Sequence, residues 1–280
     1  MNATINLEKH FPVLLKELVS IISPLYGGTF IDCTFGAGGY SKKILESESN
    51  NIIAIDRDNS VNSIATKFKS KYKERFEFYN KKFSQIDQIQ KDNIKAIIFD
   101  LGYSLNQISD LNRGLSFKSK GKLDMRMGLN DFSCDEVISK MSQQSLFKIF
   151  KYFGDETYAK PISKKIVQLR ENKKIETENL VQIIDEIKKK KSGKNKSTKI
   201  FQALRIFVNK EITELINGLI KAYSILPIGG VIVVVTFHSI EDKIVKFFFK
   251  EYSEIKNASR YLPKNISPKK YFNLINKKAI

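Results

Sequence analysis

The sequence predicts an α/β fold built on a parallel β-sheet, and three observations support this prediction. Short apolar runs alternate with helix-like stretches over residues 10–100, which is the pattern of strands joined by crossover helices. A glycine-rich turn at residues 36–39 follows the first run, and three runs end in an aspartate, namely Asp32, Asp56 and Asp100. Ligands of open α/β sheets bind outside the carboxyl ends of the strands, so we expect a polar ligand site there.

The elements follow in order from the N-terminus. Apolar residues at helical spacing predict a first helix over 10–26, which Pro24 and Gly27-Gly28 end. The next segments are predicted as strand 29–33, helix 41–47, strand 51–56, helix 59–71, strand 76–79 and strand 95–99. The alternation then stops, and helical periodicity predicts helices over 135–150, 155–171 and 176–191. It resumes with a helix face from Ile212 to Ile220 and a buried strand from Val231 to Thr236.

This order predicts a discontinuous domain organisation. One α/β domain is formed by residues 1–105 and 206–280, and a helical insertion over 106–205 interrupts it. Within the insertion, the segment 188–199 is rich in lysine, serine and glycine and low in hydrophobicity. Such a composition favours a mobile loop.

The positive charge of the chain is concentrated in two segments. Of the net +18, residues 148–199 contribute 15 basic and 7 acidic side chains, and residues 243–280 contribute 10 and 2. Residues 1–105 are nearly balanced, with 14 basic and 12 acidic side chains. This distribution is typical of a surface that meets a polyanion. The alternative is an ordinary solvated surface, because 41 of the 48 basic residues are lysine.

Several classes of protein are excluded by the composition. The longest apolar run, Val231 to Phe237, is far shorter than a transmembrane span, and the N-terminus lacks a secretory apolar region. A mitochondrial presequence is not expected, because the first arginine is Arg57. The two cysteines, Cys33 and Cys134, fit a reducing compartment and have no metal-site neighbours. We therefore expect a cytoplasmic protein with no membrane contact and no metal.

The glycine turn narrows the class of nucleotide-like ligand. A dinucleotide fingerprint would need a glycine where Ser41 stands, and a phosphate-binding P-loop is absent. A site without a diphosphate cradle suits an adenosine with a short tail, as in S-adenosylmethionine, with Asp56 on the ribose hydroxyls. Alternatively, each terminal aspartate caps the helix that follows it, which explains any one of them well but all three less easily.

Eight segments between residues 10 and 246 carry a resemblance to a known family. They are His10-Phe-Pro-Val-Leu-Leu-Lys-Glu17, Asp32-Cys-Thr-Phe-Gly-Ala-Gly-Gly39, Ala54-Ile-Asp-Arg-Asp58, Asp100-Leu-Gly102, Arg113-Gly-Leu-Ser-Phe117, Leu123-Asp-Met-Arg-Met127, Phe201-Gln-Ala-Leu-Arg-Ile-Phe-Val-Asn209 and Phe237-His-Ser-Ile-Glu-Asp-Lys243. In these strings and their order, the chain resembles the ribosomal RNA small-subunit methyltransferase H family.

The resemblance implies a fold, an activity and a cofactor site. It implies a Rossmann-like sheet that binds S-adenosylmethionine. The helical insertion, with its lysine-rich segment 188–199, is the part that we expect to face RNA. It implies methylation of the exocyclic N4 of a cytidine in the decoding region of 16S rRNA, so that the small ribosomal subunit is the partner. The cofactor contacts that it implies are Gly38, Gly39, Tyr40, Asp56, Phe83, Asp100 and Gln107. Core packing is the alternative role for Phe83.

The chain departs from the family pattern at three places that bear on the site. Tyr40 stands where the family usually has histidine, and the loop Tyr103-Ser-Leu-Asn-Gln107 replaces the usual Val-Ser-Ser-Pro-Gln. The chain also stops at Ile280, before the stretch that usually forms a final strand. A missing terminal strand would expose a sheet edge.

The catalytic residue stays open at this level. Asp100 or its loop is the first candidate, acting through positioning and electrostatics on the cytosine amine. Asp124 and His238 are weaker candidates, because Asp124 has arginine neighbours and a histidine after a buried strand is usually structural. Two other functions remain as alternatives: methylation of another RNA or of a protein amine, and a catalytically weak RNA-binding or ribosome assembly factor. The oligomeric state is also open, a homodimer included.

Overall fold

The computed structural model describes residues 12–23, 26–89, 92–189, 195–254, 271–276 and 279–280. Their five strands form one all-parallel sheet in the order β3-β2-β1-β4-β5. The strands are β1 (Gly28–Asp32), β2 (Asn50–Asp56), β3 (Phe76–Asn80), β4 (Ile94–Asp100) and β5 (Val231–Val235). The helices are α1 (Leu15–Ile22), α2 (Gly39–Ile44), α3 (Asn62–Tyr72), α4 (Leu105–Ser109), α5 (Cys134–Lys140), α6 (Gln143–Gly154), α7 (Ala159–Arg170), α8 (Thr177–Ile187), α9 (Thr198–Asn209), α10 (Glu211–Ile225) and α11 (Ser239–Ser253).

The strand register places the acids that end the central strands at one edge of the sheet. Asp32 of β1 is aligned with Ala54 of β2 and with Ile98 of β4. Asp56 and Asp100 therefore lie two residues beyond Asp32, on either side of it. β1 ends two residues before its neighbours β2 and β4, and the glycine turn that follows β1 begins in the gap between them. β2 and β3 lie on one side of β1, whereas β4 and β5 lie on the other. Ligands of such sheets usually bind where the strand order changes side in this way.

Three apolar cores explain how the remaining elements are held. Two cores cover the two faces of the sheet, and their largest members include Phe30 and Phe76 on one face and Phe99 on the other. Such burial on both faces explains why the strands read as continuous apolar runs in the sequence. A third core joins residues from Leu115 to Val208 and belongs to the helical region.

The predicted helical region is confirmed as helical, with one difference in its elements. The stretch predicted as a single helix over 135–150 is two helices, α5 and α6. They separate at Met141, and the side chain of Ser142 then caps α6 by accepting from the backbone N–H of Ser145 at 3.1 Å. The domain boundaries at residues 105 and 206 stay a prediction, and α9 runs across the second of them.

Asn209 at the end of α9 ties this helix to an adjoining loop. The residue is fully buried, and its amide group donates to the carbonyl oxygens of Met125 and Arg205, both at 2.9 Å. Its Oδ1 accepts from the backbone N–H of Met127 at 2.8 Å and from the side chain of Asn130 at 2.9 Å. The hydrogen-bonding groups of the Asn209 side chain are thus paired inside the protein. These bonds hold the loop that contains Met125 and Met127 against α9.

We expect Asn209→Leu to lower the free energy of unfolding by about 3 kcal/mol, because it strands buried backbone groups of Met125 and Met127 without partners. Urea denaturation measures the change. Asn112→Leu is the matched control, since Asn112 is exposed, and we expect its effect to stay within about 0.5 kcal/mol. Equal effects of the two substitutions would contradict this role of Asn209.

Two residues near the C-terminal end, Tyr271 and Phe272, pack against the sheet domain. The backbone N–H groups of Tyr271 and Phe272 donate to the carbonyl oxygen of Tyr252 at 3.0 and 3.1 Å, and the Phe272 ring contacts the rings of Tyr223 and Phe248. Within the described part of the chain, β5 pairs only with β4. From the sequence we expect a final strand to be missing after the segment that ends at Ile280. Lys277 and Lys278 of that segment lie outside the described residues. No described helix is both long and apolar enough to cross a membrane.

Candidate active site

A cavity of about 830 Å³ opens at the carboxyl edge of the sheet. Seven residues singled out in the sequence line it: Gly39, Tyr40, Asp56, Phe83, Asp100, Gln107 and His238. Gly38 and Asp124 do not line it. Asp124 instead forms a two-bonded ion pair with Arg126, with N···O distances of 2.8 Å. The structure therefore supports the salt-bridge role for Asp124 over the catalytic one.

Gly38 shapes the glycine turn without lining the cavity. Its φ of 77° lies in the left-handed region, where glycine is favoured, and a Cβ there would come within 2.6 Å of the Phe68 ring. Gly38 directly precedes α2, and its N–H donates to the carbonyl of Phe35 at 2.7 Å. The turn thus brings the backbone of Gly39 to the cavity wall.

Asp56 holds the turn from the neighbouring strand. Its Oδ2 accepts from the backbone N–H of Gly36 at 2.8 Å, and its Oδ1 accepts from the backbone N–H of Asp58 at 2.9 Å. Burial raises the pKa of Asp56 to about 6, although these hydrogen bonds lower it. Asp56 lines the cavity, and each oxygen keeps a second lone pair, which suits a pair of ligand hydroxyls.

Asp100 lies on the other side of the turn. Its backbone N–H donates to the Thr34 hydroxyl at 2.8 Å, and its Oδ1 is buried with no hydrogen-bond partner among the described residues. Burial raises the pKa of Asp100 to about 7, and the nearby charge of Asp32 adds to this shift. Asp100 is therefore a partly buried acid at the cavity wall, with one acceptor atom that no described residue satisfies.

The Tyr40 phenol lies beside Asp100. The side chain is buried, and its hydroxyl is bonded to the Val13 carbonyl and faces the Asp100 carboxylate. Burial and the charge of Asp100 raise the pKa of Tyr40 well above its ordinary value. The phenol therefore stays neutral, and its single proton can serve only one of the two acceptors.

Phe83 and Gln107 line the cavity, and both side chains also contact other residues of the protein. The Phe83 ring packs edge-to-face on Phe99 at 5.4 Å, in space left free by Gly218, where a Cβ would lie 2.6 Å from the ring. Gln107 accepts from the Ser104 backbone N–H at 2.9 Å and donates to Asp58 at 2.7 Å. One amide hydrogen of Gln107 remains for a ligand, so its first role is to hold the loop that follows β4.

With this geometry established, comparison with known proteins assigns the family. The profile of the MraW methylase family matches residues 7–280. The chain belongs to the MraW methylase family. Three similar proteins are each named ribosomal RNA small subunit methyltransferase H. They come from Rickettsia bellii strain OSU 85-389 (40% identity over 278 residues, 97% of this chain and 91% of the relative), Rickettsia akari strain Hartford (39% over 280 residues, 98% and 92%) and Ehrlichia canis strain Jake (40% over 249 residues, 86% and 84%).

The family match confirms both the resemblance carried by the sequence motifs and the Rossmann-like methyltransferase sheet. The architecture of this MraW methylase agrees with it, since the sheet is all parallel and helices cover both faces. The additional helices between β4 and β5 carry a core of their own.

The helical region of this MraW methylase supplies the far wall of the cavity. Arg205 of α9 is 7% exposed and donates to both carboxylate oxygens of Glu211 at 2.8 Å. Its guanidinium lies under the ring of Tyr103, with 4.9 Å between the carbon Cζ and the ring centroid. Arg205 therefore links the helical region to the loop after β4.

His238 is engaged as the N-cap of α11. Its Nδ1 accepts from the backbone N–H of Glu241 at 3.4 Å, and its Nε2 lies 3.1 Å from the Glu241 carboxylate. Glu241 in turn accepts from the backbone N–H of Phe237 at 2.9 Å. One ligand atom from each of Glu211, His238 and Glu241 lies within 4.8 Å of the other two, which is a spacing at which three such groups can hold a metal ion. Because Arg205 and backbone amides already bind the two carboxylates, we assign His238 to the capping of α11.

A network around Asp58 escaped the sequence analysis. Asp58 is buried and binds Arg113 through two hydrogen bonds of 2.5 and 3.1 Å, besides its bond to Gln107. Burial opposes ionisation of Asp58, but the bonds from Arg113 and Gln107 outweigh it and hold the pKa below its ordinary value. In the sequence, Asp58 and Arg113 each belong to one of the segments that carry the family resemblance. Nothing in those segments indicates that the two residues pair, because they lie far apart in the chain.

The buried acids predict an unusual pH dependence of stability. Burial raises the pKa of Asp32 and Asp56 to about 6 and of Asp100 to about 7. A carboxyl with a raised pKa binds its proton more tightly in the folded state, so its contribution to stability declines as the pH rises toward 7. We expect the urea midpoint to fall from about pH 4 to about pH 7 and then to level off, with a shallower fall in Asp32→Asn. A midpoint that rises over this range would contradict these shifts.

Proposed function

We propose that the chain transfers a methyl group from S-adenosylmethionine to the exocyclic N4 amine of a cytidine in small-subunit rRNA. The observation that carries the proposal is Asp100 itself, which lines the cavity and whose buried Oδ1 has no hydrogen-bond partner among the described residues. A buried acceptor without a partner is costly, and an incoming N–H donor satisfies it. The names of the relatives support small-subunit rRNA as the substrate.

The residues at the carboxyl edge of the sheet fit S-adenosylmethionine. The free lone pairs of Asp56 suit the two ribose hydroxyls, and the Phe83 ring offers an apolar surface for the adenine. The backbone of Gly39 lines the cavity without a side chain, which leaves room for the methionine part. When bound, S-adenosylmethionine supplies a methyl group on a positively charged sulfur.

Asp100 has two tasks in this reaction. The lone pair of the cytosine amine is delocalised into the ring, and donation of an amine N–H to Asp100 orients the nitrogen so that the pair points out of the ring plane. Transfer would form the new N–C bond as the bond between the methyl carbon and sulfur breaks, with neutral S-adenosylhomocysteine as the leaving group, so the nitrogen would carry one proton too many and a positive charge. A carboxylate with a pKa of about 7 accepts that proton at neutral pH, which restores a neutral amine.

The RNA-facing role of the helical region is part of the proposal. A base must leave its stack to reach this cavity, and phosphate contacts position the rest of the RNA. The lysine-rich segment 188–199 is the candidate for these contacts, although residues 190–194 lie outside the described residues. Lys188 is excluded from that role, because it pairs with the buried carboxylate of Glu156 at 2.7 Å. A charge-neutralisation series should therefore begin at Lys189, which is exposed.

Methyl transfer to ribosomal subunits tests the proposal. Small subunits that lack the modification are incubated with tritiated S-adenosylmethionine, and the RNA is then digested to nucleosides. Tritium in N4-methylcytidine is the expected result. Label in another nucleoside or in a ribosomal protein would favour a methyltransferase with a different target. Binding of the donor without any transfer would favour an RNA-binding or assembly factor.

A further inference from the structure

Tyr103 is an exposed aromatic residue at the cavity, three residues after Asp100. Its side chain is 45% exposed, in contrast to the buried Tyr40 and the partly buried Phe83. Large exposed aromatics at a cavity mouth are typical of surfaces that receive a ligand. The exposure of Tyr103 places it where a substrate would arrive from solvent.

The Tyr103 ring packs against the guanidinium of Arg205. The guanidinium of Arg205 covers one face at 4.9 Å, and the two bonds from Arg205 to Glu211 hold that guanidinium in place. Nearly half of Tyr103 remains accessible to solvent although Arg205 covers one face of its ring. A cation behind the ring also stabilises its orientation.

A second exposed aromatic borders the same loop. Phe237 is 54% exposed and lines the cavity, and a Cβ on Gly102 would come within 3.3 Å of its ring. Gly102 has a φ of 105°, so only a residue without a side chain is unstrained there. The chain thus brings two aromatic rings to the loop between Asp100 and Tyr103.

We propose that Tyr103 is the platform on which the target nucleobase stacks, with Phe237 bordering the same slot. A flipped base needs a flat apolar surface, and stacking on an aromatic ring is the usual one in single-stranded RNA recognition. Asp100, three residues earlier at the end of β4, then meets the exocyclic amine of the stacked base. This inference rests on the proposed function, because it assumes that the substrate is a base in RNA.

The absence of tryptophan from the chain allows a direct test. Tyr103→Trp introduces one fluorophore, and single-stranded oligocytidylate is titrated onto it in the presence of S-adenosylhomocysteine. We expect quenching of the indole emission at RNA concentrations that saturate binding in a gel shift. Tyr26→Trp is the matched control, since Tyr26 is 88% exposed and lies at the opposite end of β1. Quenching by S-adenosylhomocysteine alone, or equal quenching in both variants, would overturn the proposal.

Kinetics with small subunits separates stacking from a structural role. We expect Tyr103→Ala to raise the KM for subunits by roughly 5- to 100-fold, while Tyr103→Phe and the affinity for S-adenosylhomocysteine stay near wild type. An unchanged KM in Tyr103→Ala, with N4-methylcytidine still formed, would overturn the stacking role alone. Failure of the proposed function would instead show with the wild-type protein, as a different product or none.

Discussion

Asp100→Asn is expected to lower kcat for methyl transfer by about 10²- to 10³-fold. Asparagine preserves the size of the side chain but cannot take up the proton that the amine must lose. It also lacks the negative charge that stabilises the developing positive charge on the nitrogen. Steady-state transfer to small subunits measures kcat, and calorimetry with S-adenosylhomocysteine measures whether the donor site is intact. We expect the affinity for S-adenosylhomocysteine to change by less than about threefold.

Asp92→Asn is the matched control for this substitution. Asp92 is exposed and precedes the opposite end of β4, so kcat should stay at the wild-type value. A large loss of donor affinity in Asp100→Asn, with kcat unchanged at saturating donor, would place Asp100 at the adenine amine instead. That result would remove Asp100 from the chemistry and leave it as a cofactor contact.

Asp56→Ala is expected to weaken binding of S-adenosylhomocysteine by about 10²-fold or more. Two charge-assisted hydrogen bonds to the ribose are worth about 1.5–3 kcal/mol each when the site is partly buried. The substitution also frees the backbone N–H of Gly36, which Asp56 now holds at 2.8 Å. The glycine turn then loses its anchor, so both the contacts and the shape of the donor site suffer. Isothermal titration calorimetry measures the affinity.

Asp56→Asn distinguishes these two contributions. Asparagine keeps one acceptor oxygen but presents an amide donor to one of the two backbone N–H groups that the carboxylate accepts from. We expect an affinity between those of the wild type and Asp56→Ala. Asp92→Ala should bind the donor as the wild type does. A wild-type affinity in Asp56→Ala would show that the ribose lies elsewhere.

The sheet was predictable from the sequence because its strands are buried on both faces. Continuous apolar runs such as Ile52–Ile55 and Ala96–Phe99 have no helical or alternating period, and each ends in an acid that marks the strand tip. Parallel strands with short glycine turns then place those acids at one edge. The predicted strand bounds agree with the structure to within about one residue.

The walls of the site were less predictable, because they depend on partners far apart in the chain. Asp58 and Arg113 are separated by 55 positions, and Arg205 meets Tyr103 across the junction with the helical region. No local pattern encodes such a pair. The division at Met141 had a local signal, since Ser142 is a good N-cap, but helical periodicity continued across it.

Six of the seven cofactor contacts that the family resemblance implies line the cavity, and their part in cofactor binding stays a prediction. Gln107 lines the cavity as expected, while its amide is bonded to Ser104 and Asp58. His238 also lines it, while its ring caps α11. Motifs indicate which residues lie near a site, whereas the three-dimensional structure shows which of their atoms already form hydrogen bonds within the protein.

Nucleoside analysis by mass spectrometry tests the central claim most directly. Small subunits lacking the modification are treated with S-adenosylmethionine and either wild-type protein or Asp100→Asn, and the RNA is digested completely. The proposed mechanism predicts that the wild type forms N4-methylcytidine. At equal occupancy of the donor site, Asp100→Asn should form it in an amount lower by a factor of about 100 or more. Equal amounts of N4-methylcytidine from both proteins, or methylation of any other group by the wild type, would contradict it.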